Sequence, residues 1–313
     1  MFALEQRITT ELEKAKGFPQ DTVLIGDSWE LACILPSRHI QCIVTSPPYF
    51  GHREYADDAT LTRVELGREQ EPSGYVRKLV SLFEELRRVL KDEGTLWLNL
   101  GDTYREGQLL GIPWRVALSL QDAGWMLRSE IIWHKPNAMP SSVKTRPTTA
   151  HEHIFLFSKS KDYFYDADAI REPHVTFTEA SKMRGGRNHL GKRNGTPEKG
   201  KNGGDHNLHD ARWDQAFHPL GRNKRTVWEI PLGKFRDAHF AVFPENLVKT
   251  CLLAGTREGD LVLDPFMGSG TTAYVAQKLG RHFLGFELVP KFAEMAMKRV
   301  ADLAFQPSLL ADS

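Results

Sequence analysis

Residues 261–272 read LVLDPFMGSGTT: a short apolar run ending in Asp264, a loop holding Gly268 and Gly270, then threonines opening a helical stretch. A buried strand that turns through glycines into a helix is the unit from which open α/β sheets are built. The glycines let backbone approach a ligand closely, and the helix start offers unpaired amide N–H groups and a positive dipole end to a carboxylate or phosphate. The lysine of a phosphate-binding loop and the third glycine of a dinucleotide fingerprint are both missing, so neither ATP nor NAD is indicated. Glu287 lies nineteen positions beyond Gly268, at the end of the next strand, where an acid can accept hydrogen bonds from ribose hydroxyls. A nucleoside ligand that also carries a carboxylate fits this pattern.

The surrounding chain repeats the alternation. Strands are predicted at Thr22–Ile25, Gln41–Val44, Gly94–Leu100, Glu130–His134, His153–Ser158, Leu261–Leu263 and His282–Phe286. Helices are predicted from Ser73, with Val76, Leu79, Val80, Phe83, Leu86 and Leu90 on one face, from Pro113 to about Ala123, over FPENLVKTCLLAG with Gly255 as its stop, over Thr271–Leu279, and from Pro290 to Leu303. The stretch EHIFLFSKSKDYFYD reads as a hairpin or an edge strand. Neither half of the chain can cover a sheet alone, so residues 1–170 and 239–313 are expected to build one domain, with 171–238 inserted as a lobe.

Charge singles out the insertion. Between Ser181 and Arg225 there are eleven Lys/Arg against four Asp/Glu, a net +7 inside a chain whose total is +1. The window is rich in glycine and asparagine and reads as loops. It is either a solvated spacer or an arm that contacts phosphates, with Trp213 and Phe217 available for stacking. Cys33, Cys42 and Cys251 sit in apolar contexts without metal spacing and are expected to be buried thiols. The His151-Glu152-His153 triplet and the four histidines of the basic window lack ligand spacing, so no metal is expected. The apolar runs are strand-sized and the start shows no signal-peptide pattern, so no membrane association and a cytoplasmic location are expected.

A second stretch, IVTSPPYF at 43–50, ends a strand in two prolines. Proline locks φ and removes a backbone donor, so the segment leaves the sheet as a stiff corner with its carbonyls unspent. Alone it would be a turn or a polyproline segment.

TSPPY and DPFMGSGTT together, in this order and with a variable region between them, resemble the beta class of the amino-methyltransferases that modify DNA bases. LIGDSWE, GTLWLNLGD, IIWHKPNAMP, HFAVFPENLV and GFELVP extend the resemblance over most of the chain outside the basic window. It implies a circularly permuted, Rossmann-like α/β sheet, mostly parallel with an antiparallel edge strand, and S-adenosyl-L-methionine as cofactor. It also implies that Asp264, Phe266, Gly268, Ser269, Gly270 and Thr271 surround the methionine end, that Glu287 holds the ribose, that Asp27 approaches the adenine, and that Phe243 and Pro244 pack over the methionine. Asp27 reads equally as the N-cap of a helix.

The chemistry explains the proline corner. An exocyclic amine is a poor nucleophile because its lone pair is delocalised into the ring. Acceptors aimed at its two hydrogens, the Ser46 hydroxyl and the Pro47 carbonyl, draw the nitrogen toward pyramidal geometry, and Pro48 keeps the corner rigid. Tyr49 supplies a flat face for a base turned out of the duplex. The partner expected is double-stranded DNA, held by Lys135, Arg184, Arg187, Lys192, Arg193, Arg212, Arg222, Lys224 and Arg225; Lys135 reads equally as a strand end. The resemblance implies that serine in the first position goes with the 4-amino group of cytosine; the 6-amino group of adenine stays open. A dehydrogenase, a non-catalytic nucleic-acid-binding module and an RNA or protein-glutamine methyltransferase are the rival readings. Related enzymes form dimers, which makes a homodimer an assembly open to this chain, although no stretch marks an interface.

Overall fold

A computed structural model describes residues 18–51, 65–174, 220–233 and 244–304. The chain divides into two compact units, Met1–Tyr165 with Thr226–Ser313, and Asp166–Arg225.

The first unit is built on one eight-stranded sheet. In chain order its elements are β1 (Thr22–Ile25), α1 (Ser28–Ile34), β2 (Ile40–Thr45), α2 (Pro72–Val89), β3 (Leu90–Leu100), a small hairpin of β4 (Tyr104–Arg105) and β5 (Gln108–Leu109), α3 (Ile112–Asp122), β6 (Met126–His134), β7 (His151–Ser158), β8 (Val227–Glu229), α4 (Glu245–Gly255), β9 (Leu261–Asp264), α5 (Thr271–Lys278), β10 (His282–Glu287) and α6 (Pro290–Ala304). The strands lie in the order β1-β10-β9-β2-β3-β7-β6-β8. Every neighbouring pair is parallel except those made by β7, which runs antiparallel to both β3 and β6. Both ends of the chain thus supply strands to one sheet.

Strand alternation assigns the two faces. Ile43, Leu96, Leu98, Leu263 and Leu284 join a core with the apolar stripe of α2, Tyr75, Val76, Leu79, Phe83 and Leu86, and with Leu31 and Leu120 of α1 and α3. On the other face α4 lies so close that a Cβ on Gly255 would meet Thr95 Oγ1 at 2.7 Å and Cys42 Sγ at 3.1 Å. Gly255 ends the helix, as expected, and it is also kept small by close packing on the sheet.

Other expectations change. The antiparallel strand is not at an edge: β7 lies between β3 and β6 and pairs its backbone with both, and its Ile154–Phe157 run is buried. Leu90 opens β3 directly, with no loop after α2. Val227–Glu229, inside the window read as an insertion, is a strand of the sheet, parallel to β6. Cys42 and Cys251 are buried, but Cys33 is exposed on the outer side of α1, and all three are free.

In the second unit the described residues form a short turn at Asp168–Ile170 and an isolated antiparallel bridge between Glu172 and Arg222. Gly221 has φ +110°, and a Cβ there would fall 2.2 Å from the Glu172 carbonyl oxygen, so no other residue fits. Among the described residues no helix is long and apolar enough to cross a membrane.

Arg88 closes the α1 end. Its guanidinium donates to the carbonyls of Leu35 at 2.7 Å and Ala32 at 2.9 Å, at the end of that helix where carbonyls run short of helical donors, and to Glu85 at 2.8 Å. Arg88→Ala is expected to lower stability by about 1–2 kcal/mol, the usual worth of such bonds. Urea unfolding should show a lower midpoint with an unchanged slope.

Candidate active site

β2 and β9 are parallel neighbours with Cys42 opposite Val262 and Ile43 opposite Leu263. The segments that follow them, Ser46-Pro47 and Pro265-Phe266, therefore leave the same edge of the sheet side by side. Crevices beyond the carboxyl ends of parallel strands are where open α/β sheets bind ligands. Here a cavity of about 980 Å³ is lined at once by Ser46, Pro47, Pro48 and Tyr49 and by Phe266, Gly268, Ser269, Thr271 and Glu287.

Asp264 holds the two walls together from behind. Its carboxylate is buried and accepts from Thr45 Oγ1 at 2.7 Å, Thr272 Oγ1 at 2.7 Å and the Phe266 amide at 3.0 Å. Burial pushes its pKa up to about 6 despite these bonds. It does not line the cavity, and neither does Gly270, which begins α5 at φ +80° with a would-be Cβ 2.7 Å from Ala296. Both residues shape the glycine loop from the side opposite the one expected for ligand contacts.

On the cofactor side Glu287 accepts the Gly268 amide at 2.7 Å through Oε2 and the Val289 amide at 2.9 Å through Oε1, and burial raises its pKa. Each carboxylate oxygen keeps a further lone pair for a hydroxyl donor. Gly268, at φ +52°, has no neighbour within 3.4 Å of a would-be Cβ, so the loop offers open space there. Asp27 lines the cavity and also caps α1, accepting from the amides of Trp29 at 2.9 Å and Glu30 at 3.2 Å. Apolar Phe266, Met267 and Phe292 complete this end. An acid, a helix start and an apolar wall suit an adenosine joined to an amino acid.

At the proline corner the Tyr75 hydroxyl donates to the Pro48 carbonyl at 2.8 Å, while among the described residues no donor reaches that of Pro47. The Tyr49 ring lies against Gly101, where a Cβ would approach Cε2 to 2.6 Å. Phe50 turns into the core beside Tyr75.

The Tyr49 hydroxyl donates to Glu152 Oε2 at 2.6 Å, accepts from Ser46 Oγ at 3.0 Å, and lies 2.8 Å from Asn99 Nδ2. Burial, then the nearby Glu152 charge, holds the phenol well above its usual ionisation range. Glu152, Asn99 and Trp133 line the cavity and were given no site role from the sequence, Glu152 having been named only in a rejected metal triplet. Parity was the available signal: on a strand Glu152 faces away from His151 and His153.

Of the residues read as DNA contacts, Lys135 lines the cavity, forms an ion pair with Glu152 and lies 4.4 Å above the Trp133 ring. Arg222 and Lys224 both pair with Glu172, each at 3.2 Å, and Arg225 is exposed. Arg184, Arg187, Lys192, Arg193 and Arg212 lie outside the described residues, as does Phe243. Pro244 is the N-cap residue of α4 and is not among the residues lining the cavity. His153 pairs with Glu130 at 2.8 Å, and the described residues contain no group of three potential metal ligands.

Residues 40–298 match the DNA methylase family. The chain is 38% identical over 308 residues to the type II methyltransferase M.Cfr9I of Citrobacter freundii, covering 89% of this chain and 87% of that one. It is 38% identical over 307 residues to M.SmaI of Serratia marcescens, covering 89% and 90%. Among solved structures it is similar to the cytosine-N4-specific PvuII DNA methyltransferase, with a TM-score of 0.63 and 22% identity over 92% of this chain and 87% of that one, a likeness of fold. It is also similar to a Thermus thermophilus protein solved with S-adenosyl-L-methionine, with a TM-score of 0.57 and 26% identity over 90% and 93%.

The Asp264 pKa has a stability consequence. Its folded value, about 6, lies above the ordinary 3.8, so the folded state holds the proton more tightly. The stability this contributes is fully present below about pH 4 and is lost as pH rises through about 6. Urea midpoints of the wild type, measured relative to Asp264→Asn, are expected to fall across that window and to level off above it. A flat difference would contradict the assignment.

Proposed function

The chain belongs to the DNA methylase family, and from that membership we propose that it transfers a methyl group from S-adenosyl-L-methionine to the 4-amino group of cytosine in duplex DNA, at a specific site and on a base turned out of the helix. One observation carries the reading: the proline corner and the glycine loop share a single cavity. Its volume suits a cofactor together with a nucleobase.

Bound S-adenosyl-L-methionine supplies an electrophilic methyl on a positively charged sulfur. Glu287 is assigned to the ribose hydroxyls, Asp27 to the adenine end, and the α5 start with Ser269 and Thr271 to the carboxylate. Phe266 walls the methionine end. Opposite them, Ser46 Oγ and the Pro47 carbonyl accept the two amino hydrogens and turn the nitrogen lone pair toward the methyl. The Tyr49 ring, backed by Gly101 and pinned through its hydroxyl, forms the rigid wall on which the base rests. The proton leaves after the methyl arrives, so no strong base at the nitrogen is required.

Serine at the first position of S-P-P-Y favours cytosine over adenine in this reading. The basic window, 181–225, is assigned to DNA recognition, where Lys/Arg side chains neutralise phosphates. Lys135, paired inside the cavity, is better suited to the base pocket than to the DNA backbone.

Duplex DNA incubated with methyl-tritiated cofactor and digested to nucleosides should yield labelled N4-methylcytosine. Labelled N6-methyladenine would overturn the choice of base, and absence of label would overturn the activity. Ser46→Ala is expected to lower kcat about a hundredfold, the usual loss for one such contact, with cofactor affinity unchanged. Glu287→Ala should weaken S-adenosylhomocysteine binding by calorimetry roughly ten- to a hundredfold, the worth of hydrogen bonds to a charged group.

A further inference from the structure

The polar chain behind Ser46 has an order that its chemistry forces. A carboxylate only accepts, so the short contact between Tyr49 and Glu152 Oε2, 2.6 Å, commits the phenol proton to Glu152. The phenol oxygen is then an acceptor, and Ser46, 3.0 Å away, donates its own proton to it. Asn99 fits the same order. Its Nδ2 lies 2.8 Å from both the Tyr49 oxygen and Glu152 Oε2, and the opposite amide orientation would press an acceptor against a carboxylate. In this orientation Asn99 Oδ1 is buried with no donor among the described residues. A buried acceptor without a donor destabilises the fold, and here it accompanies an amide that holds Tyr49 and Glu152 in register. Lys135 fixes the other carboxylate oxygen, Oε1, and rests on Trp133.

The geometry points to Glu152 as a positioning residue that acts through Tyr49, orienting the Ser46 hydroxyl as an acceptor toward the target amine. This rests on the function proposed above. A serine hydroxyl can donate as readily as it accepts, and a donating hydroxyl would face the amine hydrogens with a hydrogen of its own. With its proton committed to Tyr49, Ser46 presents only lone pairs to the cavity. The directed sequence from Ser46 to Tyr49 to Glu152 polarises the Ser46 oxygen, since hydrogen bonds in series strengthen one another in a low-dielectric site. Glu152 thus lends carboxylate character to a neutral side chain it does not touch. Asn99 and Lys135 hold that carboxylate in place.

Glu152→Gln and Tyr49→Phe test the relay. Each is expected to lower kcat by roughly ten- to a hundredfold, in the range for losing an oriented hydrogen-bonding group, while the KM for S-adenosyl-L-methionine and the affinity for S-adenosylhomocysteine stay within about twofold. Because the members act as one unit, the double variant should be no slower than the worse single variant. A second readout needs no turnover: ultraviolet titration of the Tyr49 phenol, taken as the difference from Tyr49→Phe, should show ionisation at lower pH in Glu152→Gln than in wild type, because the neighbouring negative charge is gone. Wild-type kcat in Glu152→Gln, losses that multiply in the double variant, or an unchanged phenol titration would each overturn the relay. If wild type transfers no methyl to DNA, the proposed function fails, and the phenol titration still decides whether the relay exists.

Discussion

The cavity depends on one buried carboxylate. Asp264 gathers Thr45, the last residue of β2, Thr272 in the first turn of α5, and the amide of Phe266 in the intervening loop. Three donors converge from three segments on its two oxygens, and an acceptor-only carboxylate satisfies them together. Because Thr45 precedes Ser46 directly, the same knot sets the distance between the proline corner and the glycine loop. The cost is a charge held away from water, visible in the raised pKa.

Around that knot the two walls are kept rigid by different means. Gly270 lets α6 approach the glycine loop at Ala296, so the start of α5 is backed by packing. At the corner, prolines limit the backbone and leave carbonyls that cannot join the sheet ladder. Tyr75 takes one of them, Pro48, while among the described residues no donor reaches that of Pro47, a residue that lines the cavity.

The reversed direction of β7 supplies what the parallel strands lack. An antiparallel strand begins where its parallel neighbours end, so Glu152, near the start of β7, arrives at the edge from which Ser46 and Asn99 emerge. Register places Asn99 opposite Ile154 and Leu100 opposite His153, which brings Glu152 level with the rim of the cavity. The acid beside Tyr49 is thus a product of sheet topology, joining residues 103 positions apart.

Much of the architecture was legible because its signals are local. Apolar runs of strand length, the stripe on α2, glycines before α5 and prolines after β2 restrict the backbone within a few residues of themselves, and the spacing from Gly268 to Glu287 follows from one helix and one strand lying between them. β7 and Glu152 were misplaced or missed, and the packing reason for a glycine at 255 went unread, because what decides them lies far along the chain. Gly255 is small because Thr95 and Cys42 crowd it, β7 is interior because two other strands need it, and Glu152 matters only beside Tyr49. By itself the sequence determined most of the strands and helices, and it marked the proline corner and the glycine loop as the candidate site segments. Strand order, and with it the partners of Ser46 and Asp264, was decided only by the tertiary structure, since it emerges from many weak contacts summed across the sheet and no short stretch encodes it.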